Sequence, residues 1–190
     1  MDLLELTLSH NKGLWFGVLV SKEKHLVASG FSRRKPQLKS HLLEYSRRIS
    51  RRDPEVGNSS LVYELTKLFD GKKSQGRFTF EIGPLTPFQE KVHGVLMTIP
   101  VGRVTTYGHI ARFLGSGPRA VGNAVGANPW PLFVPCHRVV PSSRLAGSYS
   151  MNGAPSSASS LVKRGILERE GVKFVDDQVV PPSIWQPRGP

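Results

Sequence analysis

The period of the apolar residues changes partway along the chain, and that change limits the fold more than any other feature. Near the amino terminus, "LLELTL" and "LWFGVLV" alternate as strands do, with the turn "HNKG" between them. This predicts a hairpin, and "KHLVASGFS" supplies a third strand. From about Leu38 to Phe69 the apolar positions recur at helical spacing, interrupted by "RDPEVGNSS". "DGKKSQG" reads as a surface turn or linker, and "RFTFEIG" after it as extended chain. The signals beyond Gly83 to Thr86 are mainly helical. The expectation is an α+β protein with a small amino-terminal sheet-and-helix domain at 1–83 and a mainly helical domain at 84–190, a division that a chain of this length allows.

The second half carries explicit helix punctuation. In "TPFQEKVHGVLMTIP", Thr86, Pro87 and Gln89 supply an N-cap, a proline in the first turn and the return partner of a capping box, and Pro100 ends the helix. "VTTYGHIARFLGSGPRAVGNAVGANP" then shows Thr106 as a cap, a short amphipathic helix to about Leu114, a turn at "GSG" and a second helix from Pro118. Two short helices about a glycine turn form a helix-turn-helix pattern. After Arg119, the second helix offers Ala120, Val121, Gly122, Asn123, Ala124, Val125 and Gly126, so it has little with which to read base edges in a major groove. Small residues do let a helix approach a backbone or a narrow minor groove, which suits shape-dependent binding indifferent to sequence. A tightly packed core helix accounts for the Ala and Val equally well but leaves Arg119 without a role.

Charge points to a polyanionic partner. The net charge is +12, and between Glu90 and Glu168 there is no acid, while Lys91, Arg103, Arg112, Arg119, Arg138, Arg144, Lys163 and Arg164 fall inside that span. A solvated surface normally mixes signs, so the span reads as a face that does not repel phosphate. The clusters "RRKPQLK" and "RRISRRD" nearer the amino terminus are weaker signals, because basic runs commonly form solvated helix or loop faces. The amino terminus lacks the basic and apolar regions of a signal peptide, and no apolar run approaches the roughly 18 to 20 residues of a membrane span. A cytoplasmic protein is expected, or a nuclear one in a eukaryote, with no membrane partner.

A single cysteine, Cys136, cannot form an internal disulfide or a cysteine-rich zinc site, so packing alone must hold the fold. It lies in "NPWPLFVPCHRVV", beside a potential base, His137, with cationic residues nearby and an apolar strand "PLFV" ahead of it. Imidazole or local positive charge turns such a thiol into an activated nucleophile. Neighbours on a regular strand point to opposite faces, so Cys136 must sit at a turn or helix start for His137 to help it, directly or through water. The alternative is a buried structural thiol.

These residues together resemble a family. "VPCHRVV", with "RAVGNAVGANP" before it and "ILEREG" after it, closely resembles the O6-alkylguanine-DNA alkyltransferases, which are DNA repair proteins; the resemblance is strong from about Thr86 to Val172 and vague before that. It implies a ribonuclease H-like amino-terminal fold and the direct reversal of O6-alkylguanine damage in double-stranded DNA, with O4-alkylthymine a further candidate. It implies that Cys136 is the alkyl acceptor, spent after one transfer, with His137 as base through a bridging water and Glu170 holding the other imidazole nitrogen. Asn128 would tie the turn ahead of the cysteine, through an Asx-type turn at Pro129. Tyr107 would donate a proton toward the departing base. Arg119 would enter the stack in place of the extruded nucleotide, with Thr106, Ala120 and Gly122 also on the DNA side. The backbone carbonyls of Val139 and Cys136, with Tyr149 and Ser150, would complete the base pocket.

The resemblance implies no cofactor and no metal; some relatives bind an amino-terminal zinc through cysteines this chain lacks. A monomer is expected, and several copies along DNA are compatible with the family. The chain departs from the family's pattern where "MNGAPSSASS" replaces a short Gly-Gly step, which leaves the lid of the pocket, and the alkyl size it tolerates, open. Two rival functions remain. A non-catalytic damage binder would replace the acceptor cysteine, and a cysteine hydrolase would need an oxyanion hole and have no use for Arg119.

Overall fold

The computed structural model describes residues 3–74, 77–81, 83, 85–149 and 157–187. The fold is mixed α and β, as the change of period predicts. The chain divides into two compact units, the first ending at Pro84 and the second beginning at Leu85.

In the first unit β1 (Glu5–Asn11) and β2 (Leu14–Val20) form the predicted hairpin, and β3 (Leu26–Ser32) extends it. The short β4 (Glu55–Val56) pairs parallel to β1, giving the order β3-β2-β1-β4. Helix α1 (Lys35–Ser50) covers one face, starting three residues before the first apolar position of its pattern, and α2 (Leu61–Phe69) covers the other. Because both faces are covered, β2 and β3 are almost wholly buried, so "LWFGVLV" is apolar nearly throughout and departs from the expected alternation. Leu4, Leu6, Leu19, Val27, Ala28, Leu38 and Leu42 form the core beneath α1, each large side chain contributing roughly 1.5–3 kcal/mol. Gly17 brings sheet and helix together: a Cβ there would lie 2.6 Å from Leu42 Cδ1 and 2.8 Å from Leu8 Cδ2. On the opposite face Phe16 packs edge-on against Phe69, with ring centroids 5.4 Å apart. Among the described residues, "RFTFEIG" joins the sheet through a bridge between Phe80 and Leu26.

The second unit opens with α3 (Pro87–Met97), whose capping box is formed: Gln89 N–H donates to Thr86 Oγ1 and Thr86 N–H to Gln89 Oε1. Two residues of β5 (Thr105–Thr106) lead into α4 (Tyr107–Phe113), and the turn after it into α5 (Pro118–Gly126). These helices pack on each other and α5 packs on α3, where the buried His93 Nε2 meets Ala124 O at 3.2 Å. β6 (Val139–Val140) pairs parallel with β5, α6 spans Ser157–Arg169, and β7 (Phe174–Val175) and β8 (Gln178–Val179) close a hairpin. Val104, Val140, Leu167, Val172 and Val179 form a core shared by these pieces.

One local expectation fails. "PLFV" is not a strand: Pro131 and Val134 face each other across a tight turn in which Leu132 has φ 74° and Val134 N–H bonds to Trp130 O. The apolar run is explained by burial of Leu132, Phe133 and Val134.

Candidate active site

Cys136 begins a single 3-10 turn, Cys136–Arg138, held by Cys136 N–H to Val134 O and Arg138 N–H to Pro135 O. The turn breaks strand alternation, so Cys136 and His137 are not forced to opposite faces. Its rigidity comes from Asn128, whose Oδ1 accepts from Trp130 N–H at 3.0 Å, in the Asx geometry, while its Nδ2 donates to Val134 O at 3.0 Å. The Asn128 side chain also favours the charged form of the Cys136 thiol.

Topology brings the other groups in. The pairing of Thr105 with Val139 and Thr106 with Val140 sets the start of α4, and so Tyr107, beside the strand that leaves the cysteine turn. Burial, with a smaller contribution from the neighbouring Cys136, holds the Tyr107 phenol above its ordinary range. Tyr149 OH lies 3.9 Å from Cys136 Sγ.

His137 is 1% exposed, and its Nε2 donates to Glu170 Oε1 at 3.0 Å. Glu170 follows α6 and is brought close at Gly102, where a Cβ would meet Glu170 O at 3.1 Å and φ is +78°. Burial pushes the Glu170 carboxyl up, but the hydrogen bonds from His137 and Arg138 outweigh it and hold it at about 2. Burial lowers His137 despite that carboxylate, so the imidazole is neutral. With Nε2–H committed to Glu170, Nδ1 carries the lone pair, and it is buried without a hydrogen-bond partner among the described residues.

The thiol differs from the sequence expectation. Burial pushes Cys136 up, against the lowering effects of Asn128, Tyr149 and Lys163, so nearby cations do not make a resting thiolate and a base is needed to remove the proton. Two cations of the acid-free span are interior, where the sequence predicts surface charge. Arg138 is 8% exposed and binds Glu170 through Nε at 2.9 Å and Nη2 at 2.7 Å, while Nη1 donates to Ile99 O. Lys163 is 1% exposed; burial lowers it to about 8, and its Nζ donates to Val139 O at 2.7 Å. Sequence reasoning assigned neither a site role. The available signal was the adjacency of Arg138 to His137, and an uncompensated lysine within an apolar helix pattern.

Cys136 begins this turn and Val139 follows it in β6, yet each carbonyl already accepts within the chain, that of Val139 from Lys163 Nζ and that of Cys136 from Val139 N–H. Ser150 and most of "MNGAPSSASS" lie outside the described residues. The hydroxyl of Thr106, 7% exposed, is occupied as the cap of α4, accepting from His109 N–H at 3.1 Å. It therefore serves the helix start, and its own O–H donor is not used by that cap. Arg119 and Ala120 are exposed at the start of α5, and a Cβ on Gly122 would meet nothing within 4 Å. The bareness of this helix face is not a packing requirement. Among the described residues no group of three or more His, Cys, Asp or Glu could hold a metal ion, and no helix is long and apolar enough to cross a membrane.

Within the second unit, a buried cysteine, a histidine bonded to a carboxylate and two short helices about a glycine turn define a class, that of the alkyl-accepting DNA repair proteins. The family model described as 6-O-methylguanine DNA methyltransferase, DNA binding domain, matches residues 87–172. The methylated-DNA--protein-cysteine methyltransferase of Thermococcus kodakarensis is 35% identical over 168 residues, covering 84% of this chain and 90% of that protein. The protein of the same name from Thermococcus sibiricus is 36% identical over 126 residues, an alignment that spans 66% of each chain. The crystal structure of O6-methylguanine-DNA methyltransferase from Pyrococcus kodakaraensis KOD1 superimposes with TM-score 0.71 at 28% identity, covering 90% of this chain and 100% of that one. That of Mycobacterium tuberculosis OGT in complex with DNA gives 0.65 at 26%, covering 88% and 92%. The chain belongs to the methylated-DNA–protein-cysteine methyltransferase family.

Proposed function

We propose that this protein repairs O6-alkylguanine in double-stranded DNA by moving the alkyl group onto Cys136. The observation that carries the reading is the neutral His137, its Nε2–H fixed on Glu170 at 3.0 Å and its Nδ1 lone pair free in a buried site one residue from the only thiol. The thiol proton passes through a water to His137 Nδ1, and sulfur attacks the alkyl carbon in line with the breaking C–O6 bond. The electron pair of that bond stays on the guanine, which takes a proton from Tyr107. The proton on His137 returns through solvent to the Tyr107 oxygen, so the step balances, and the product is a stable thioether. Asn128 and Tyr149 hold the thiol, and Lys163 favours negative charge on sulfur as it develops.

The open face of α5, with Arg119 at its start, supports entry into a minor groove and replacement of an extruded nucleotide. O4-alkylthymine fits the same chemistry. The acceptor is used once, and the exposed cations of the acid-free span favour a polyanionic partner. We place the protein, as a monomer, in the compartment that holds DNA. Incubation with duplex DNA carrying a labelled O6-methyl group tests the reading: label must become covalently bound at one per chain, on Cys136. Label released as methanol, or left on DNA, rejects it.

A further inference from the structure

The first unit carries a basic surface that the repair chemistry does not use. Residues 33–52 hold eight Lys or Arg against one acid, Glu44, whereas the remainder of residues 1–84 holds seven basic and eight acidic residues. The positive excess of the unit therefore sits on α1 and its flanks. Elsewhere in the unit Lys12, Lys24 and Lys67 are ion-paired with Asp70, Glu5 and Glu64. In the basic segment Arg47 pairs with Asp53, and among the described residues Arg33, Arg34, Lys39, Arg51 and Arg52, all exposed, form no ion pair.

At its amino-terminal end the placement of these charges opposes the helix that bears them. Arg34 is the N-cap of α1, with no side-chain cap bond, and no acid lies in the first turn. An N-terminus prefers Ser, Thr, Asp or Asn and negative charge, so Arg33, Arg34 and Lys35 are disfavoured there by the helix dipole. At the other end Arg51 adopts φ 58° at the position usually given to glycine. A charge preference broken at one end by Arg33 and Arg34, and a backbone preference broken at the other by Arg51, each an exposed cation with no ion pair among the described residues, indicate selection for something other than the fold.

We propose that the two ends of α1 form a second phosphate-binding surface for duplex DNA, independent of α5. Lys39 and Arg51 are 12 residues apart, roughly 18 Å at 1.5 Å per residue, so the two clusters bear on separate phosphates of a backbone carrying one charge per about 1.7 Å. This deepens the repair reading and rests on it for the choice of DNA as the polyanion.

The test uses the full chain in two variants, Arg33→Gln/Arg34→Gln/Lys39→Gln and Arg51→Gln/Arg52→Gln, none of which touches the site. Binding to undamaged duplex is titrated between 50 and 200 mM salt, and reaction with free O6-benzylguanine is timed. Each variant is expected to flatten the slope of log K against log salt by about 0.9 per phosphate contact removed, and to weaken binding severalfold near physiological salt, with free-base reaction unchanged. Wild-type slope and affinity in both variants overturn the proposal. So does loss of free-base reaction in both, which assigns these residues to folding. Vesicles containing phosphatidylserine form a further arm: sedimentation that depends on these residues, with duplex binding unaffected, overturns it in favour of a membrane surface. Failure of the wild type to take label from alkylated DNA is a separate result, and it rejects the repair reading itself.

Discussion

His137 donates Nε2–H to Glu170 Oε1 at 3.0 Å, and Arg138, the next residue, grips both oxygens of that same carboxylate. One buried carboxylate thus fixes the imidazole tautomer and the far side of the cysteine turn together. Glu170→Gln leaves Arg138 partly unpaired in the interior and loosens His137. Alkyl transfer is expected to slow roughly ten- to a hundredfold, part of the 10²–10⁴ a general base contributes, on duplex and free-base substrates alike. Stability is expected to fall by about 2–4 kcal/mol, since breaking a buried pair leaves a charge uncompensated. Urea unfolding and single-turnover kinetics measure the two effects. A variant that loses stability but reacts at the wild-type rate removes the orienting role.

The same carboxylate sets an acid limit. Glu170 titrates near 2 in the folded protein and near about 4.3 when unfolded. Its contribution is therefore complete above the unfolded value and is lost as pH falls from about 4.3 toward 2, by an amount on the order of 3 kcal/mol. His137, held neutral by burial, acts in the same direction at higher pH, because only the unfolded chain gains its proton just below the ordinary histidine value. Stability should decline from about pH 6.5 downward, and Glu170→Gln should lack the lower part of the decline. Parallel curves for the two proteins between pH 5 and 3 contradict this.

What the sequence discloses here follows the range of the interaction. Thr86, Gln89, Thr106 and Pro118 act within a turn of their own position, so the helix starts they mark in the structure could be read directly. Arg138 meets Glu170 across 32 residues and Lys163 meets Val139 across 24. Only the adjacency of Arg138 to His137 and the apolar neighbours of Lys163 set these two cations apart locally from the exposed ones of the acid-free span. "PLFV" misled for a related reason: a short apolar run reports burial, and burial is compatible with a strand or with the turn Asn128 holds. The thiol was read as activated by neighbouring charge, whereas its enclosure, a property of the whole unit, dominates its proton affinity.

Cys136→Ser should abolish alkyl transfer and leave duplex affinity within about twofold. The substitution removes the nucleophile from a buried site and none of the exposed cations that dominate binding. Intact mass after exposure to O6-methylated duplex, and a binding titration at fixed salt, decide it. Persistent mass gain in the serine variant sinks the acceptor assignment.

Lys163 makes a prediction at alkaline pH. Its folded value is about 8, depressed by burial, against an ordinary value near about 10.4. The buried charge is therefore carried at full cost below pH 8, and the cost is relieved as pH rises toward the unfolded value, on the order of 3 kcal/mol in all. In a Cys136→Ser background, which removes the coupled thiol, stability relative to Lys163→Met should grow between pH 7.5 and 10. A constant difference over that range places Lys163 in contact with solvent and contradicts the burial.

Arg119→Ala should separate extrusion from chemistry. Arg119 is exposed at the start of α5, and the helix face behind it is open at Gly122. No stabilising contact among the described residues is lost with its side chain, so folding should be unaffected. If the guanidinium fills the gap left by a flipped nucleotide, its loss exposes an unstacking cost of a few kcal/mol that only duplex substrate incurs. About 1.4 kcal/mol is tenfold in rate, so duplex repair should slow by tenfold or more while reaction with free O6-benzylguanine keeps its rate. Glu170→Gln slows both, because it acts on the nucleophile, so the two variants calibrate each other. Equal slowing of both substrates by Arg119→Ala assigns Arg119 to the pocket or the fold, and the extrusion role of α5 is then wrong.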